Sequence, residues 1–134
     1  MKFAVLIARL LLGVIFLFFG LNAFAGWIPL EEYPPGPPEA DEMLRFLYSS
    51  FIMELLAVAH IFVGGLLLIN RFVPLALALL FPQIVSIVIF HILVDPGLDR
   101  AIYGHVSAVL FAFLFWAYRT HFEMLFYAKA DPEV

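Results

Sequence analysis

The chain contains no cysteine, which excludes structural disulfides, dithiol redox chemistry and thiolate metal centres. Charge is almost as scarce. Only 13% of the 134 residues are charged against 65% hydrophobic, too little polarity to clothe a soluble domain of this length. Basic residues are fewer than acidic ones, giving a net charge of −4 and arguing against nucleic acid as a partner. No G-x-S-x-G, P-loop or G-x-G-x-x-G occurs, so hydrolase and nucleotide-binding signatures are missing. No two of the four histidines have the i, i+4 spacing that sets two ligands on one helix face, and no metal site is expected.

What the chain does have is long apolar runs. Four are expected to cross a bilayer, at 3–26, 49–69, 72–94 and 101–118. At 1.5 Å per residue, a run of about 20 covers the roughly 30 Å hydrocarbon layer. The fold class is therefore all-α integral membrane, a four-helix transmembrane bundle forming a single domain over 1–134. Its one substantial loop, 27–48, carries Glu31, Glu32, Glu39, Asp41 and Glu42. Lys2, Arg9, Arg71, Arg119 and Lys129 fall on one side and Arg45 and Arg100 on the other, so the positive-inside rule places both termini in the cytoplasm and loop 27–48 outside it.

Lys2, an apolar run and Ala23-Phe24-Ala25 also resemble a secretory signal with its cleavage site. The run is longer than such signals and is interrupted by Arg9, so the first span is expected to be retained. Tyr33 to Pro38 predicts an extended loop, because proline lacks an N–H donor and fixes φ. After it, Glu39, Asp41 and Glu42 suit a first helical turn, where acidic side chains meet the positive end of the helix dipole. Trp27, Tyr33 and Tyr48 on one side, with Trp116, Tyr118 and Tyr127 on the other, form two aromatic belts. Faces of small residues predict where spans touch: Arg9, Gly13, Phe16 and Gly20 in the first; Glu54, Ala57, Ile61 and Gly65 in the second, with Gly64 alongside; and His105, Ala108, Ala112 and Arg119 in the fourth.

Polar residues inside spans are costly and mark candidate sites. Glu54, His91 and His105 share one depth, roughly 5 to 8 Å beneath the outer surface. A carboxylate and imidazoles there can relay protons or hydrogen-bond the carbonyls of a quinone, and Glu54 and His91 are the expected proton handlers. Mutual satisfaction between helices is the structural alternative. Asn22 has the same depth but points about 140° from the Arg9 and Gly13 face. His60, Gln83 and Ser86 form a middle layer that can line a cavity; a structural role for Ser86 is a bond to its own helix, and for Gln83 service to the backbone disturbed by Pro82. Arg9 either snorkels to lipid phosphates or, as its glycine face suggests, points inward, where it and His60 need a third partner. Arg9, His60, Gln83, Ser86 and His105 are accordingly candidate ligand-binding residues. Haem between His91 and His105 is also open at this point, since it needs only two histidines on different helices.

Ala8-Arg9 ahead of Gly13, Gly20 and Asn22, Gly64-Gly65 ahead of Asn70-Arg71 and Pro74, then Pro82 and Phe90-His91, together resemble the DoxX family of small bacterial membrane proteins over about residues 5 to 119. The resemblance implies a four-helix protein of the bacterial inner membrane, related to membrane subunits of quinone-linked oxidoreductases. Members often have glutamate at the position of His60 and asparagine at that of Ser86, so an Arg–Glu pair of the family is altered here. The leading expectation is thus a membrane subunit offering a quinone a polar pocket, with a partner redox subunit as electron source. A non-enzymatic scaffold or assembly protein, and a small-solute or lipid transporter acting as a homo-oligomer, are the alternatives.

Overall fold

The computed structural model describes residues 1–128 and Pro132; Lys129, counted above with the cytoplasmic charges, lies outside the described residues. Five α-helices follow in order: α1 (Lys2–Ala25), α2 (Pro38–Ser49), α3 (Phe51–Leu68), α4 (Val73–Leu93) and α5 (Leu98–Ala117). Four of them, α1, α3, α4 and α5, are long and apolar enough to cross a membrane. They differ from the expected spans by a few residues at the ends.

The first three helices end for local reasons. Gly26 caps α1 in the left-handed region at φ 62°, where glycine lacks the Cβ penalty, and its N–H donates to the Asn22 carbonyl. The prolines keep 34–37 out of regular structure, and Pro38, which needs no partner for an N–H, opens α2 with Glu39 and Asp41 in its first turn. Ser50, extended at φ −108° and ψ 156°, separates α2 from α3 and donates its hydroxyl to the Leu47 carbonyl. The residues after Pro38 therefore form a separate helix rather than an extension of the second span. Asn70 and Phe72, both at positive φ, make the tight reversal from α3 to α4.

The four long helices form a ring in chain order. α3 packs on α1 and α4, α5 closes the ring against α4 and α1, and α2 lies against α3. Arg9, Gly13, Phe16 and Gly20 are all buried, as the small-residue face predicts. The α1–α3 contact is a backbone approach: a Cβ on Gly20 would stand 2.8 Å from the Ala57 carbonyl oxygen, and one on Gly64 2.6 Å from the Leu17 nitrogen. Two expectations need correction. Gly64, not Gly65, meets α1, and a Cβ on Gly65 would meet nothing within 4 Å. On α5 the buried face is Ala101, Ser107, Phe111 and Leu114, while Ala112 is exposed and so is Arg119, which lies beyond the end of that helix. Large side chains set the α5 face, with Phe111 and Phe115 stacked at 5.8 Å and Phe115 on Phe122 at 4.5 Å. The core runs through Leu12, Val63, Leu67, Leu77, Leu80 and Leu114.

The ends of the bundle differ. One carries the start of α1, the 69–72 turn and the short 3-10 segment Arg119–Phe126, and is called here the termini end. The other, the loop end, carries residues 26–37, α2 and the 94–97 turn.

Candidate functional site

The loop end brings two imidazoles together. His91, in the last turn of α4, and His105, two turns into α5, have ring centroids 6.0 Å apart at a 52° tilt. Gly104 makes this possible, because a Cβ there would lie 2.8 Å from His91 Cδ2 and 3.1 Å from Nε2. His91 Nδ1 faces the Asp95 carbonyl oxygen at 3.4 Å, and the Phe90 ring stands beside it. His91 is therefore held on both edges. His105 is half-buried and makes no hydrogen bond to another described residue, which leaves its ring nitrogens as the pair's open donor and acceptor.

Glu54 does not join them. It is exposed in the first turn of α3, without a hydrogen bond or ion pair among the described residues. It lies about 120° round that helix from His60, on the side of Ala57, which meets α1. Equal depth thus did not bring Glu54 to the histidines, because depth fixes a residue's height and not its direction.

The middle layer is partly assembled. His60, half-buried on α3, meets the Phe16 ring edge-on at 4.9 Å, and the Gln83 side chain of α4 comes within its reach. His60 Nδ1 and Gln83 Oε1 are nevertheless buried without a partner of good geometry. Gln83 Nε2 donates to the Leu79 carbonyl at 3.1 Å, beside the turn disturbed by Pro82. Ser86 is exposed and bonds the Pro82 carbonyl at 2.8 Å, the structural role open to it.

Arg9 points inward. Its Nη1 donates to the carbonyls of Leu67 and, at 3.3 Å, Leu68. These belong to the unpaired, electronegative C-terminal turn of α3, where a cation is favoured. The main chain thus satisfies Arg9 alone, and His60 Nδ1 gains no partner from it among the described residues.

Several polar residues of the fold lie outside the sequence-based candidate set. Asn22, expected to point away from the bundle face, is buried where the chain turns back: its Nδ2 donates to the Ile28 carbonyl at 3.1 Å and its Oδ1 accepts from the Ile28 N–H at 2.8 Å. Arg100, whose side chain is 4% exposed, sits between Asp41 of α2 at 2.8 Å and the buried Asp95 at 3.1 Å. Gly36 covers it so closely that any Cβ there would collide with Nη1. Asp95, Asp99 and Arg100 close together in sequence were the available signal for this network. Nearby, burial, with the neighbouring Tyr33 second, pushes the Tyr48 hydroxyl up to about 12, so it remains a neutral phenol at ordinary pH. Ser107, buried midway along α5, also stands at the level of His60 and Gln83.

Among the described residues no group of three metal-ligating side chains exists. Haem does not fit the histidine pair: the Cδ2–Nε2 edge of His91 lies against α5 and its Nδ1 faces a carbonyl, leaving no ring edge open for axial ligation. The arrangement can offer a hydrogen bond and a proton from His105 to a ligand arriving between α4 and α5. Comparison with known proteins finds no matching family model, no matching curated protein and no matching solved structure.

Proposed function

We propose that this chain is a multi-pass protein of the bacterial inner membrane, of DoxX type, with both termini cytoplasmic, that binds a quinone or similar lipophilic redox molecule beside His91 and His105. The observation carrying this reading is the imidazole pair at 6.0 Å, one ring held on both edges and the other without a hydrogen-bond partner among the described residues. A polar group so placed in an apolar bundle is costly unless a ligand or water engages it. His105 donates to a quinone carbonyl, and His91 fixes the approach of α5. Reduction of the quinone needs two electrons and two protons; a partner redox subunit supplies the electrons, and His105, reprotonated from water, delivers the protons, with His91 positioning it and Glu54 outside the site. The orientation rests on the excess of Lys2, Arg9, Arg71 and Arg119 at the termini end over Arg45 and Arg100 at the loop end.

In lipid nanodiscs, a short-chain quinone should bind saturably, and His105→Ala should weaken it about tenfold, the loss of one hydrogen bond in an apolar site. Uptake that never saturates and is the same in both proteins refutes the proposal.

A scaffold or assembly role is the second reading, favoured by the engagement of Arg9, Asn22 and Ser86 with main-chain groups. It expects Gly64→Leu to abolish cellular function while His105→Ala leaves it intact.

A further inference from the structure

At the termini end a groove of about 460 Å³ opens between the start of α1 and the end of α5. Three cationic side chains line it, Lys2, Arg9 and Arg119, together with Asn70, and no carboxylate is among the described lining residues. Arg9 forms its inner end, 6% exposed, with Nη1 spent on the Leu67 and Leu68 carbonyls. A guanidinium has five N–H donors, so Nε and Nη2 keep three for a ligand. Arg119 is pinned at the opposite wall, donating to the Trp116 carbonyl at 3.0 Å with its guanidinium 5.0 Å over the indole. Val5 and Leu6 continue the groove along α1 as an apolar wall.

A buried arginine with spare donors, two flanking cations and an adjoining apolar wall match an anion that carries a hydrocarbon tail. We propose that this groove binds the phosphate of an anionic phospholipid, the acyl chains lying along Val5 and Leu6. Basic pockets between membrane helices recognise such head groups by charge, and an interfacial tryptophan seats the glycerol level. A free phosphate shares the charge but gains nothing from the apolar wall. The proposal rests on the membrane reading of the four helices and is independent of quinone binding at the other end.

The test is binding to detergent-purified protein, measured by native mass spectrometry with phosphatidylglycerol and with phosphatidylcholine of the same acyl chains. Phosphatidylglycerol should bind at least tenfold more tightly. The double variant Lys2→Gln, Arg119→Gln should lose about fivefold per cation, with thermal stability and quinone binding unchanged. Because Arg9 also caps α3, Arg9→Gln is a secondary variant, informative only alongside that double variant. Equal affinity for the two lipids, or an undiminished preference in the double variant, overturns the proposal. Displacement of the lipid by inorganic phosphate at matching concentration overturns it too, since the groove is then an anion site indifferent to the tail.

Discussion

Gly64 and Gly65 are neighbours in sequence and should respond oppositely to the same added methyl group. On Gly64 a Cβ would lie 2.6 Å from the Leu17 nitrogen, 2.8 Å from the Gly13 carbonyl oxygen and 3.0 Å from the Leu17 Cα, all backbone atoms of α1. Backbone cannot rotate away as a side-chain tip can. Restoring an ordinary contact of 3.4 Å from 2.6 Å means parting α1 and α3 by about 0.8 Å along that direction. Such overpacking costs about 1–3 kcal/mol, and the separation also loosens Gly20 from the Ala57 carbonyl. Gly65 faces open space, so Gly65→Ala should be neutral or stabilise by up to about 1 kcal/mol through the helix preference of alanine. Unfolding of both variants in mixed micelles, followed by circular dichroism against increasing dodecyl sulfate, measures the two values on one scale. Equal effects, or greater damage from Gly65→Ala, would refute the packing described for α1 and α3.

Further outcomes follow from the polar contacts. Arg100→Leu strands the buried Asp95 and should cost about 3–5 kcal/mol in the same assay, whereas Asp41→Asn, at a side chain 37% exposed, should cost about 1 kcal/mol or less. Arg9→Leu should cost about 2–3 kcal/mol, because the Leu67 and Leu68 carbonyls lose a charged donor. Ser86→Ala removes only a local bond on an exposed helix face and should change stability by no more than about 0.5 kcal/mol.

Length and apolarity located all four long helices, because a bilayer requires both and leaves few alternatives. The glycine face of α1 was legible for a similar reason: close backbone approach admits few residue types. The α5 face was not, since Phe111 and Leu114 pack as well as the small residues do and periodicity alone does not rank them. Depth counting paired His91 with His105 correctly, as adjacent antiparallel helices joined by a short turn must match in height. It failed for Glu54, whose direction depends on how α3 rotates to put Ala57 and Gly64 against α1. Arg100 was legible only as an outer charge and its ion pairs were not, because its partners lie 59 residues away on α2 and five residues back in a turn, and only the folded chain shows Gly36 closing over it.

Ligand binding beside His91 and His105 is tested most directly with a photoreactive quinone analogue. The protein is reconstituted in nanodiscs and illuminated, and the labelled residues are mapped by peptide mass spectrometry. The expected result is label concentrated on the adjoining parts of α4 and α5 around these histidines, suppressed by excess unlabelled quinone and reduced in His105→Ala. Label spread evenly over the lipid-facing residues of all four spans, or undiminished by competing quinone, contradicts it.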